Sequence, residues 1–361
     1  MEKLYKYRPL SDFLFKELYY QELYFASYEE LNDPLDLSAR IEFTPEKEEH
    51  VEYLLYFIFK TAITLLISDS PSEEAKDNIR KLTRFNEDEE LRTKLKKVIY
   101  ADIIKQKQTQ CFISFDVLEA ILMKASKEHH IDFPVQFDAF KDELKRLTKK
   151  FLENSYTTCF SERNDDFLMW SHYSSKHSGV CLEFTLAHPG LFPYELKLPR
   201  KTNISEYEKT LSEHTLDEHI YWDRINKVRY QIEQPHINFF DFSAIFENEY
   251  DCDLIGLSKT RWHGYAFELE LIFATKTLPW EYEKEWRAIH INFGEPEHPE
   301  ERIRHYPIEA LSSIYFGVRT PSPAKKRISA IFKHKHKDIQ FFDCKLSDGR
   351  EISFIEWEDF E

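Results

Sequence analysis

Apolar and polar side chains alternate along the first eight positions as they do in a strand. Leu4, Lys6 and Arg8 fall on one face, Tyr5 and Tyr7 on the other. A short helix is predicted next, then a second strand over Leu23-Tyr24-Phe25-Ala26, then a turn at Asn32-Asp33-Pro34, where the proline disfavours helix in the residue before it. From about Pro45 to Asn154 the period changes. Glu46–Ile67, Glu87–Lys105, Phe115–Lys127 and Phe137–Glu153 carry apolar residues at three- and four-residue spacing with charged outer faces, the pattern of amphipathic helices. Strands are predicted again at Tyr156–Phe160 and Val180–Leu186, flanking a helix-like Phe167–Lys176. The stretch from Pro199 to Asp253 is weakly periodic and predicts no element. Beyond it a helix is expected over Trp262–Phe273, strands over Glu285–Phe293 and Ser312–Phe316, and a helix over Pro323–His334. Ile339–Lys345 and Glu351–Trp357, joined across Ser347-Asp348-Gly349, read as a closing hairpin. The expected fold is α+β, with a mostly antiparallel central sheet formed by residues 1–44 and 155–361 and a large helical insertion at 45–154.

Composition narrows the function classes. Seven glycines in 361 residues, never clustered, leave no phosphate-cradling loop and no dinucleotide fingerprint. Five scattered cysteines without a Cys-x-x-Cys pair point to free thiols in a reducing compartment rather than a zinc ribbon or disulfide scaffold. The N-terminus has no apolar signal core, and Lys60 interrupts the most apolar run, Val51–Ile67, so a cytoplasmic protein without membrane contact is expected. A net charge of −16 argues against general nucleic-acid binding, although a local basic surface could override it. Lys325-Lys326-Arg327 and Lys333-His334-Lys335-His336-Lys337 form such a basic pole, read first as a solvated helix end.

Several segments carry a resemblance. Leu4-Tyr5-Lys6-Tyr7-Arg8, Leu23-Tyr24-Phe25-Ala26-Ser27, Leu31-Asn32-Asp33-Pro34-Leu35-Asp36, Cys159-Phe160-Ser161-Glu162, Leu168-Met169-Trp170-Ser171-His172-Tyr173, His177-Ser178-Gly179-Val180-Cys181-Leu182-Glu183-Phe184, Lys276 with Trp280-Glu281-Tyr282-Glu283-Lys284-Glu285-Trp286-Arg287, and Ile314-Tyr315-Phe316-Gly317 occur in this order. In order and spacing the chain resembles the bacterial domain-of-unknown-function 2971 family. That resemblance brings no established activity; it implies that these segments meet in one site.

The sharpest chemical feature is Glu283-Lys284-Glu285. On a strand the two carboxylates would share a face, roughly 7 Å apart, and raise one another's pKa. This Glu-x-Glu is similar to the third motif of ADP-ribosyltransferases, in which the second glutamate stabilises an oxocarbenium-like transition state. Motif order then suggests an Arg8, Ser161, Glu285 triad, with Arg8 against the NAD pyrophosphate and Ser161 and Glu283 orienting the ribose or nucleophile. Cys-Phe-Ser-Glu in place of Ser-Thr-Ser, and the long insertion, depart from that pattern. Tyr5, Tyr7, Asn32, Asp33, Trp170, His172, Tyr173, His177, Trp280 and Arg287 are the candidate substrate contacts, the rings suiting a planar base.

The leading expectation is an NAD-consuming ADP-ribosyltransferase-like or NAD glycohydrolase enzyme, with an ADP-ribosyltransferase-like fold, a nucleotide substrate, a macromolecular acceptor or water, and no metal. Such chemistry would suit a bacterial defence or toxin effector. Each residue also has a plainer reading: Glu283 and Glu285 paired with Lys284 and Arg287, Arg8 in a structural ion pair, Ser161 capping a helix, and the rings buried in the core. Two rival functions stand beside the leading one. A metal-dependent hydrolase or nuclease would use Asp33, Asp36, His172, His177 and Glu285, although histidines five apart on a helix lie about 140° from one another. A non-catalytic module would bind a nucleotide or a protein.

Overall fold

The computed structural model describes residues 3–37, 39–67, 73, 76, 80, 87–109, 112–129, 140–144, 153–186, 191–195, 220–242, 270, 272–292, 296–335 and 339–358. Contacts divide the chain into two compact units: Met1–Leu37, Glu153–Glu233 and Phe273–Glu361 form the first, Ser38–Leu152 and Gln234–Ile272 the second.

In chain order the elements are β1 (Lys3–Arg8), α1 (Asp12–Tyr20), β2 (Glu22–Tyr24), β3 (Ala26–Ser27), β4 (Arg40–Glu42), α2 (Glu48–Ile67), α3 (Glu89–Thr109), α4 (Phe115–His129), β5 (Ser155–Ser161), α5 (Phe167–Tyr173), β6 (Val180–Thr185), β7 (Leu191–Glu195) and β8 (Ile220–Lys227). They continue with β9 (Arg229–Gln231), β10 (His236–Asn238), α6 (Phe239–Phe242), β11 (Thr275–Thr277), β12 (Glu285–Ile291), β13 (Ile303–His305), β14 (Leu311–Phe316), α7 (Ser322–His334), β15 (Gln340–Leu346) and β16 (Ile352–Glu356).

Twelve strands of the first unit make one mixed, mostly antiparallel sheet in the order β16-β15-β14-β6-β1-β5-β12-β8-β7-β13-β2, with β3 pairing β5. Within it the β14–β15 pair is parallel. The fold is therefore α+β. The alternation read in Lys3–Arg8 decides which face is which. Leu4 joins Phe160, Leu182, Phe184, Ile314 and Phe316 in the main core, closed by Leu14 and Leu18 of α1 and Ile328 and Phe332 of α7. Each fully buried Leu or Phe there contributes about 2 kcal/mol. Tyr7 lies on the other face with Met169, Trp170, Cys181, Tyr315 and Cys344, under α5.

Local signals position the helices. Ser11 caps α1, its Oγ accepting from Leu14 N at 3.2 Å, and Gln21 closes it at φ 54°. Asp166 caps α5, its Oδ1 accepting from Leu168 N and Met169 N, each at 2.9 Å. Gly179 and Gly317 allow close approach of three segments. A Cβ on Gly179 would stand 2.2 Å from the Arg8 carbonyl oxygen, and one on Gly317 2.3 Å from that of His177.

The second unit holds α2, α3, α4 and α6 and a parallel β4–β10 pair, around the rings of Phe43, Tyr53, Phe57, Phe140 and Phe239. Its division from the first differs from the 45–154 boundary read in the sequence, because Gln234–Ile272 joins it: Arg40 N donates to Pro235 O at 2.8 Å and β10 pairs with β4. Strands β8 and β9 arise where the periodicity predicted none. Most of the Trp262–Phe273 helix and much of Phe137–Glu153 lie outside the described residues, as do His336 and Lys337. Among the described residues no helix is long and apolar enough to cross a membrane.

Candidate functional site

Three neighbouring strands bring the centre together. Tyr5 of β1 pairs with Ser161 of β5, and Ser161 pairs with Glu285 of β12, so these three side chains share the face opposite the main core. One step along, Cys159 pairs with Arg287.

Glu283 and Glu285 reach the same place by a different route from the strand alternation expected. Glu283 ends a short 3₁₀ turn, Leu278–Glu283, Lys284 takes a left-handed conformation at φ 44°, and Glu285 opens β12. The reversal at Lys284 turns both carboxylates inward, where Lys276 of β11 bridges them. Its Nζ lies 2.7 Å from Glu283 Oε2, 3.0 Å from Glu285 Oε2 and 3.4 Å from Asp36 Oδ2.

Arg287, 0% exposed, completes the network. Its Nε donates to Glu285 Oε1 at 2.8 Å and its Nη2 to Glu285 Oε2 at 3.1 Å. Nη1 and Nη2 donate to the two oxygens of Asp36 at 2.6 and 2.7 Å, and Nη1 also to Phe273 O at 2.8 Å. All five guanidinium donors are thereby used. Asp36 is aimed inward by a loop that Asp33 shapes, Asp33 Oδ1 accepting from Leu35 N at 2.9 Å.

Among the described residues the network reaches the surface through Tyr173. Tyr173 Oη donates to Glu283 Oε1 in a short bond, and the exposed Asn32 donates through Nδ2 to Tyr173 Oη at 2.6 Å. Half-buried Trp280 packs over Lys276, its ring centroid 5.0 Å from Nζ, and continues to Tyr282 at 6.3 Å and on to exposed His172 at 6.4 Å. Ser161 braces the turn: Oγ donates to the Glu283 carbonyl at 2.7 Å and accepts from Arg163 N at 3.2 Å.

Charge in this buried volume is unbalanced, with three carboxylates against two cations. Burial, then the neighbouring Glu285, push the Glu283 carboxyl up to about 7. Burial pushes Glu285 up as well, but Arg287 and Lys276 outweigh it and hold that carboxyl well below the usual range. Lys276 goes well above the ordinary lysine value, since the carboxylates around it, Glu285 foremost, outweigh the cost of burying its charge. Burial, then Glu283, raise the Tyr173 phenol well beyond its usual range. The pair thus consists of one carboxylate fixed in its ionised form and one that exchanges a proton near neutrality.

The proposed triad is not assembled. Arg8 lies on the Leu4–Lys6 face, the opposite side of the sheet, where its Nη2 pairs with Glu17 Oε1 of α1 at 2.5 Å. Alternation along β1 imposes this: a residue three after Tyr5 cannot share its face. Glu285, 4% exposed and held by two cations, faces protein on all sides. Trp170 and His177 are buried in the packing under α5, Trp170 Nε1 donating to Asn164 O at 2.6 Å and its ring lying parallel to His177 at 6.5 Å. Tyr7 Oη donates to Arg163 O at 2.8 Å, and half-buried Tyr5 packs 6.3 Å from Tyr315. The five residues of the metal reading do not converge. Asp33 shapes its own loop, Asp36 and Glu285 are taken by Arg287, His172 is exposed and His177 stacks on Trp170. Among the described residues no group of three or more His, Cys, Asp or Glu side chains is arranged to hold a metal ion.

Lys276, Asp36 and Cys159, which the sequence offered only as members of the resembling segments or, for Asp36, as a metal ligand, organise the centre, and Tyr230 joins them unforeseen. Tyr230 Oη accepts from Glu285 N at 2.8 Å, and the Cys159 thiol lies against the Glu285 carboxylate. The resemblance was the signal for Lys276 and Cys159; nothing local marks Tyr230.

Searches of curated proteins and of solved structures each found no match. A family model does match, over residues 169–288, a stretch that contains Tyr173, Lys276, Glu283, Glu285 and Arg287. Over that stretch the chain is similar to the family described as protein of unknown function (DUF2971).

Proposed function

We propose that this protein is an enzyme of glycosyl transfer from a nucleotide, NAD being the substrate assigned, and that Glu283 rather than Glu285 is its acid/base group. The observation that carries this is the proton-exchanging Glu283 carboxyl, linked to the exposed Asn32 through Tyr173 and set beside a permanently ionised Glu285. When Glu283 is ionised the three carboxylates exceed the two cations by one charge, a local field that favours a developing oxocarbenium cation. The N-glycosidic bond to nicotinamide breaks with its electron pair going to the departing ring, which leaves neutral. A hydroxyl of water or of an acceptor then bonds to the ribose carbon, and its proton passes by way of Tyr173 to Glu283. Trp280, Tyr282 and His172 supply ring surface for the nicotinamide or adenine. No role remains for Arg8.

Incubation with NAD while nicotinamide release is followed tests the reading. Wild type should release it at a rate that rises with pH through about 7, and Glu283→Gln should abolish release while keeping its fold. Tyr173→Phe should lower the rate. Release that persists in Glu283→Gln sinks the assignment.

A second reading is favoured by one observation: Glu283 and Glu285 are only 2% and 4% exposed. On that reading the network is a staple that fixes the Asn32–Asp36 loop against the sheet, and the rings around it bind a nucleotide without turnover. NAD would then raise the melting temperature and remain intact.

A further inference from the structure

On the far side of the sheet, helix α1 departs from the pattern of an amphipathic helix. It buries Leu14 and Leu18, yet its outward side carries Phe13, Tyr19 and Tyr20, 74%, 42% and 52% exposed. Phe13 and Tyr20, seven residues apart, share one side about 10 Å apart along the axis. Tyr19 and Tyr20 meet edge to face at 4.9 Å.

Helix α7 packs beside α1, and it and the residue that follows it place cations on Phe15 and Tyr19 of α1. The Arg327 guanidinium carbon is 3.9 Å from the Phe15 centroid, and Lys335 Nζ is 4.9 Å from that of Tyr19. Arg327 and His334 are exposed along the same helix, and Lys325 pairs with Asp343. Among the described acids nearby, Glu17 pairs with Arg8 and Glu22 with Lys16. Beyond Tyr20 a solvent-open groove of about 350 Å³ is lined by Gln21, His305, Tyr306, Glu309 and Lys335. In a chain of net charge −16 this face gathers cations against rings, and it uses the basic pole that the proposed chemistry leaves idle.

We propose that the α1–α7 face binds single-stranded nucleic acid, bases stacking on Phe13 and Tyr20 and phosphates meeting the cations of α7. Every base has a π-face, so exposed rings act as sequence-tolerant platforms, and basic side chains beside them neutralise the backbone. A helix on a lipid surface keeps its cations on the polar face, away from its apolar residues, whereas here Arg327 and Lys335 stand over the aromatic rings of α1.

The test is fluorescence anisotropy of a fluorescein-labelled oligothymidine of about 20 nucleotides titrated with the full chain at about 50 and 200 mM salt. Wild type should bind, and bind roughly twentyfold more weakly at the higher salt if about three phosphates are neutralised. The Phe13→Ala, Tyr20→Ala double variant should lose roughly thirtyfold in affinity at an unchanged salt slope. Arg327→Glu with Lys335→Glu should flatten the slope. Phe13, Tyr20 and Arg327 are exposed and Lys335 is half-buried, and retention of the wild-type melting temperature shows that the fold is intact. Absence of binding by wild type, or equal binding by all three proteins, overturns the proposal. So does binding instead to phosphatidylserine-containing vesicles, or a dimer in light scattering that Phe13→Ala, Tyr20→Ala dissolves while oligothymidine is ignored. Because this face lies across the sheet from Glu283, its failure and that of the glycosyl-transfer reading are separate results.

Discussion

Replacing Arg287 by methionine removes a cation while keeping much of its volume, and the geometry sets the cost. The guanidinium satisfies Asp36 and Glu285 with four bonds and the Phe273 carbonyl with a fifth. Without it those two carboxylates share a single ammonium, Lys276, at 3.4 and 3.0 Å, which also serves Glu283 at 2.7 Å. Breaking a buried pair by deleting one partner costs about 3–5 kcal/mol, because the remaining charge stays buried and uncompensated. Against a typical total of about 5–15 kcal/mol, that is a large share of the stability. Urea unfolding reads it as a midpoint lowered by about 1–2 M, for an m-value near 3 kcal/mol/M. The substitution also releases Glu285 from the cation that holds its carboxyl low, so the deficit should narrow as pH falls and the carboxyl takes up a proton. A variant within about 1 kcal/mol of wild type at neutral pH would refute the claim that this guanidinium holds the network together.

Glu283 makes stability fall with pH. The folded form keeps until about 7 a proton that the unfolded chain releases near 4.5, so between these values the native state binds more protons and loses stability as pH rises, by about 3 kcal/mol in all. Glu283→Gln should flatten that part of the curve in urea midpoints taken across the window; an unaltered slope would count against the assignment. Gly317→Ala forces a Cβ to 2.3 Å from a backbone oxygen and should lower the melting temperature by several degrees, a loss of about 1–3 kcal/mol, where an unchanged value would deny the close approach. Asp166→Ala removes the cap of the helix that carries Tyr173 and should cost about 1 kcal/mol in urea unfolding; no loss would mean that the two bonds to Leu168 N and Met169 N contribute nothing.

Much of the sheet was legible because alternation is a local property. Lys3–Arg8 shows its two faces in six letters, and the same alternation separates Arg8 from Tyr5, a signal that the triad reading passed over. Motif order along the chain does not report which side of a sheet a residue takes. The Glu-x-Glu pair was visible, but its geometry was not, since Lys284 carries no glycine- or asparagine-like signal for the left-handed turn it makes. Asp36 read as a metal ligand or a turn residue because its partner, Arg287, is 251 positions away in sequence. Strands β8 and β9 escaped notice among polar and aromatic residues whose pairing, with β12, β7 and β11, is non-local. The second unit's share of Gln234–Ile272 was hidden for the same reason: its β10 pairs with β4, nearly two hundred residues earlier.

The most direct test of the centre is the carboxyl ¹³C NMR titration of glutamate-labelled protein, with Glu283 identified as the resonance missing from Glu283→Gln. The account predicts a midpoint at about 7, with a neighbouring carboxyl, Glu285, that stays ionised throughout. A Glu283 midpoint at the ordinary value near 4.5 would contradict it.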